Sequence, residues 1–118
     1  MSLEQKTCEA CRADAPRVEG DALLHYLEQV PQWTLIDEST EAKISRVYTF
    51  ADFATAWSFV DKVSALAEAE DHHPKLILEW GKVEVCWWTH KITGLHQNDF
   101  ICAAKTDRIF AQSTDTES

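Results

Sequence analysis

Apolar positions recur along this chain in two rhythms, one of three to four residues and one of two. Leu23, Leu24 and Leu27 repeat at helical spacing behind Asp21 until Pro31 stops the run, which predicts a short helix over about 20–29. Trp33 to Ile36 then reads as a strand, Asp37 to Glu41 as a polar turn, and Lys43 to Tyr48 as a second strand with Ile44 and Tyr48 on one face and Val47 on the other. Thr49-Phe50-Ala51-Asp52 fits a capping box, and Tyr48 and Phe53 stand where a hydrophobic staple would close. A long helix should follow. Its stripe is Phe53, Trp57, Val60, Ser64 and Ala67, widened by Phe59, Val63 and Leu66, an arc broad enough for burial against a sheet and against a second subunit. Pro74 disfavours helix at the residue before it, so this helix ends near Asp71 or His72.

Beyond the corner, Leu76 to Trp80 and Val83 to His90 flank Gly81-Lys82 as a compact hairpin. By the two-residue period Val83, Val85, Trp87 and Thr89 share one face, and Glu84, Cys86, Trp88 and His90 the other. A final helix is expected from near His96 or Gln97 to about Phe110. The order α-β-β-α-β-β-α predicts an α+β fold: two layers, a four-stranded and mainly antiparallel sheet with helices on one face. Residues 1–18 read as a flexible arm, 19–111 as one domain and 112–118 as a disordered tail.

A length of 118 residues suits one domain with a real core. The formal charge of −9 argues against nucleic-acid and anionic-membrane partners, which need a clustered positive face. No apolar run reaches membrane-spanning length and the first residues lack the pattern of a signal peptide, so a cytoplasmic protein is expected. Four scattered cysteines make no disulfide framework. Cys8 and Cys11 form C-x-x-C, but no second Cys or His pair follows nearby, and the expectation is two reduced thiols in the arm with no metal.

Candidate chemistry gathers in residues 68–99. If the long helix reaches His72, then Glu68 and His72 lie one turn apart on one face and His73 points elsewhere. Two imidazoles facing different ways at one corner suit a pocket that both gives and takes a proton near neutrality. Trp33, Trp57, Trp80 and Trp87 read as core, His25 as a solvated helix residue, and Asp99 as a carboxylate favourable to the first turn of a helix.

Glu68-x-x-Asp71-His72-His73-Pro74, the aromatic at Trp80, Trp88-Thr89-His90, and Gly94-Leu95 followed by Asp99 resemble the signature of pterin-4a-carbinolamine dehydratase. The likeness spans roughly residues 20–110, and Cys8 to Pro16 with Trp80-Gly81-Lys82-Val83 are more similar to the bacterial members associated with phenylalanine hydroxylase. The resemblance implies a metal-free hydro-lyase that dehydrates 4a-hydroxytetrahydropterin to quinonoid dihydropterin, assembled as a homodimer or homotetramer, with the pterin as substrate and no separate cofactor. By position it implies His72, His73 and His90 as catalytic, with Glu68, Asp71 and Asp99 as carboxylates around the substrate; Trp88, on the face of His90, is the aromatic expected to join them. His96 departs from the pattern, since relatives often carry a helix-capping serine there. Of the histidines, His73 is expected as base and His90 as acid, roles that can be exchanged, with His72 orienting the ring. Two other readings compete: a protein-binding dimerisation cofactor on the same fold, and a zinc hydrolase. Adjacent histidines chelate poorly compared with i,i+4 spacing, which counts against the latter.

Overall fold

The computed structural model describes Leu3 and residues 18–38, 41–89 and 94–115. Its elements are α1 (Gly20–Gln29), β1 (Thr34–Glu38), β2 (Glu41–Thr49), α2 (Phe53–Glu70), β3 (Lys75–Glu79), β4 (Lys82–Trp87) and α3 (Gln97–Asp115). The strands form one sheet in the order β1-β2-β4-β3, and every neighbouring pair is antiparallel. This is the α+β order and topology that the periodicities predict. Helix α3 continues to Asp115, past Phe110 where its apolar positions end.

Alternation decides which face of the sheet meets the helices. Ile44 and Tyr48 of β2, with Val83, Val85 and Trp87 of β4, are fully buried, whereas Val47 between them is half exposed. Burying such a side chain is worth about 1.5–3 kcal/mol, so a slip of one residue in register would invert the whole set and is strongly disfavoured. Tyr48, Phe50, Phe59 and Phe110 join β2, α2 and α3, with ring centroids 4.8 Å apart for both Tyr48–Phe59 and Tyr48–Phe110. Tyr26 of α1 stacks on Phe100 of α3 at 5.1 Å, which holds the first helix against the last.

Helix α2 buries Ala56, Phe59, Val63 and Ala67, a line rotated from the Phe53-Trp57-Val60-Ser64 edge of the expected stripe. One sheet can cover only part of so wide an arc, and the small Ala56 permits the closer approach. Trp57 is therefore 56% exposed and Trp80, at the β3–β4 turn, 73% exposed, so both lie outside the core in which they were expected. The cap also differs. Asp52 itself is the N-cap, its side chain accepting from the Thr55 N–H at 2.8 Å, and Phe53 is exposed rather than stapled to Tyr48.

A polar cluster that periodicity does not reveal ties β2 to α3. Asp107 accepts from Trp33 Nε1 at 3.0 Å, Arg46 at 2.7 Å and the Tyr48 hydroxyl at 2.5 Å. The Arg46 guanidinium lies 4.4 Å from the centroid of the Tyr48 ring. Burial first, then the neighbouring Asp107 charge and hydrogen bond, push the Tyr48 phenol far above its ordinary range, and Arg46 opposes them in part.

Candidate active site

The corner after α2 is built by one left-handed residue. Asp71 has φ 52° and ψ 43°, its N–H meets the Glu68 carbonyl at 3.4 Å, and the His72 N–H meets the Ala67 carbonyl at 3.1 Å. These two bonds are a Schellman ending, in which the residue after the left-handed one packs back on the last turn. His72 is thereby turned inward while Asp71 and His73 stay exposed.

The expected pairing of Glu68 with His72 is overturned by this geometry. Because helical φ/ψ stops at Glu70, His72 never reaches the position one turn above Glu68. Glu68 instead bonds His73, with Oε2 2.6 Å from Nε2, and both side chains are open to solvent.

His72 is 5% exposed and enters a buried network. Its ring stacks on Trp87 with centroids 5.5 Å apart and planes within 10° of parallel. Its Nε2 lies 2.6 Å from Oδ1 of Asp99, a carboxylate with no exposed surface. The other carboxylate oxygen of Asp99 accepts from the Thr89 hydroxyl at 2.9 Å and from the His96 backbone N–H at 2.8 Å. Each contact has a local cause. Asp99 is the third residue of α3 and reaches back to the orphan N–H at the helix start, while Thr89 and Gly94 exchange backbone hydrogen bonds that bring the chain after β4 alongside.

With two donors on one oxygen and an imidazole on the other, three of the roughly four acceptor sites of Asp99 are taken by protein. The simplest proton arrangement has His72 donating Nε2–H to Asp99, a charge-assisted bond that sets both its tautomer and its orientation. His73 is the complement: exposed, tethered by a flexible surface carboxylate, with Nδ1 facing no protein partner among the described residues. One corner thus presents a buried imidazole and an exposed one, each with its own carboxylate. Such a pair can hold a polar ring and exchange protons with it.

Of the other expected site residues, Trp88 is turned to the far side of the sheet from Trp87, with Lys43 Nζ 4.4 Å from its ring centroid. His90 lies outside the described residues, as do Cys8 and Cys11. Among the described residues no group of three or more His, Cys, Asp or Glu side chains is placed to hold a metal ion, and no helix is long and apolar enough to cross a membrane. A groove of about 530 Å³ between α2 and α3, lined by Lys62, Leu66, Ile109 and Gln112 among others, is separate from the histidine network. Sequence reasoning missed Thr89 and the ring of His96 as members of the network, and took Trp87 for core alone. The available signal was the spacing of Asp99 three residues after His96, which is that of a capping box.

Comparison with known proteins places these residues in context. Residues 16–109 match the profile of the family described as pterin 4 alpha carbinolamine dehydratase. A protein of Saccharophagus degradans is 53% identical over 108 residues, covering 92% of this chain and 96% of its own, and one of Photobacterium profundum is 51% identical over 107 residues, covering 91% and 96%. Both are named, by inference, as pterin-4-alpha-carbinolamine dehydratases. Among solved structures, a transcriptional coactivator/pterin dehydratase from Brucella melitensis superposes with a TM-score of 0.73 at 29% identity, over 80% of this chain and 98% of that one. A pterin dehydratase-like protein identified as a RuBisCO assembly factor in the alpha-carboxysome shares the fold at a TM-score of 0.57 and 18% identity, over 66% and 88%.

Proposed function

The chain belongs to the pterin-4-alpha-carbinolamine dehydratase family, and on that premise we propose that it removes water from a 4a-hydroxytetrahydropterin to give quinonoid dihydropterin by histidine acid–base catalysis. The observation that carries this reading is the pair of imidazole–carboxylate couples at one corner, His72 with Asp99 and His73 with Glu68. In the reaction the bond from C4a to the hydroxyl breaks, an acid delivers a proton to the leaving oxygen, and a base removes the proton from N5, whose electron pair forms the new double bond to C4a. One charged and one neutral imidazole suffice at neutral pH, each worth about 10²–10⁴-fold, and no metal or further cofactor is needed.

His73 serves as base, its ring being open to solvent and so to a bound pterin, and His90 as acid. His72, fixed on Trp87 and Asp99, orients the pterin. Glu68 and Asp71 offer exposed acceptors to the amino and N–H edge of the pyrimidine ring. Asp99, buried and engaged by three protein donors, acts through His72. Trp88 lies on the face of the sheet away from Trp87, so we assign it no contact with the pterin held at His72. We further assign the protein to the cytoplasm, to a homodimer or homotetramer, and to recycling of the pterin cofactor of phenylalanine hydroxylase.

Stopped-flow measurement of 4a-hydroxytetrahydropterin dehydration tests the reading. The wild type should accelerate the step, and His73→Ala and His90→Ala should each lower kcat by at least about tenfold with the fold retained. Near-wild-type turnover in both variants would defeat the assignment. A second reading, a protein-binding role on the same fold, draws on the exposed Phe53 and Trp57 of α2; a folded wild type with no turnover would favour it.

A further inference from the structure

We propose that His96 is a positioning residue for the dehydration assigned above, its ring fixing the Asp99 carboxylate that orients His72. Only the activity arm of the test rests on that functional reading. Nδ1 of His96 accepts the Asn98 N–H at 3.0 Å, while Asp99 Oδ2 accepts the His96 N–H at 2.8 Å. This is the reciprocal arrangement of a capping box, with an imidazole nitrogen in place of the hydroxyl oxygen. A backbone N–H can meet Nδ1 only when that nitrogen carries no proton, so the ring sits as the neutral tautomer protonated at Nε2.

Burial gives the cap its leverage. His96 is 3% exposed and Asp99 0%, so neither can replace a lost partner with bulk water. Asp99 stands on the turn that His96 closes, and a frayed first turn of α3 carries the carboxylate with it. His72 would then lose its Asp99 acceptor at Nε2. The stacking on Trp87 would remain, but it sets the plane of the ring and not which nitrogen bears the proton.

The experiment compares His96→Ala, His96→Gly and His96→Ser in the full chain, with Asp52→Ala, which removes the side-chain cap of α2, as control. Each is read by thermal unfolding, by stopped-flow kcat and KM, and by the NMR resonance of the His72 Nε2–H. His96→Ala should lower kcat about tenfold at a temperature where it is fully folded, with KM changed less than about twofold, because an ångström of misplacement reaches the chemical step. It should also shift or broaden the His72 resonance. Glycine is tolerated at N-caps and deletes the same contact, so it serves if the alanine variant does not fold. His96→Ser restores an acceptor for the Asn98 N–H and should bring back the His72 resonance and kcat to within about threefold of wild type. Asp52→Ala should lower the thermal midpoint and leave kcat and the resonance as they are. Wild-type kcat and an unmoved resonance in folded His96→Ala or His96→Gly would reduce His96 to a helix cap and overturn the proposal. A wild type without turnover would remove the functional reading, and the resonance in these variants would still decide the positioning claim.

Discussion

Replacing Asp99 by asparagine keeps its volume and changes only its proton inventory. The amide oxygen can still accept from Thr89 and the His96 N–H, but the amide nitrogen must then face His72 Nε2, where the carboxylate oxygen sat at 2.6 Å. Two donors cannot share that contact, so His72 has to move its proton to Nδ1 or give up the bond. Hydrogen bonds to a charged group contribute about 1.5–3 kcal/mol and neutral ones about 0.5–1.5 kcal/mol, while the neutral side chain escapes part of the cost of burying charge. A net loss of about 1–3 kcal/mol follows, which leaves a domain of ordinary stability folded and lowers its midpoint by roughly 4–12 °C. On the proposed role of His72 in orienting the ring, the wrong tautomer should also lower kcat, by about 10²-fold. Asp99→Ala instead strands three buried partners at about 1–3 kcal/mol each, a sum comparable to the whole stability. Thermal melts followed by near-ultraviolet circular dichroism, together with stopped-flow turnover, distinguish the two variants. Asp99→Asn with kcat within threefold of wild type, or Asp99→Ala no less stable than Asp99→Asn, would refute the network described here.

Two more outcomes follow from the fold. Asp71→Gly relieves a left-handed residue that carries a side chain and should raise stability by about 0.5–1 kcal/mol, whereas Asp71→Val should lower it by more; urea titration checks both, and equal midpoints would contradict the corner geometry. The raised phenol of Tyr48 means that the unfolded chain, titrating near pH 10, loses this proton before the folded one does. Its contribution is therefore complete below about pH 10 and declines above it by up to about 1.4 kcal/mol per pH unit. Tyr48→Phe should flatten that alkaline decline, and an unchanged slope in chemical denaturation from pH 9 to 11 would sink the attribution.

The order of elements and the helix-facing side of the sheet were readable because they are written as periods. Ile44, Tyr48, Val83, Val85 and Trp87 each occupy the face that alternation assigns them. The rotation of α2 was not, since Trp57 and Val63 both lie on one apolar arc and only the space left by the sheet chooses between them. Nor was the left-handed conformation of Asp71, a residue with no strong preference for it, and from that one angle follow the inward turn of His72 and the reach of Glu68 to His73. Asp99 was legible as a helix-start carboxylate. Its bond to His72, 27 residues away in the chain, depends on tertiary placement that local patterns do not carry.

Asp99 arrives on the last helix, and its partners come from the corner before β3 and the segment after β4. A nascent chain can therefore close its hairpins and lay down α2 while His72 still lacks the acceptor that sets its tautomer. Completion of the network therefore waits for α3, the last element made, so a truncated polypeptide lacking it would retain every histidine and leave His72 without its Asp99 acceptor.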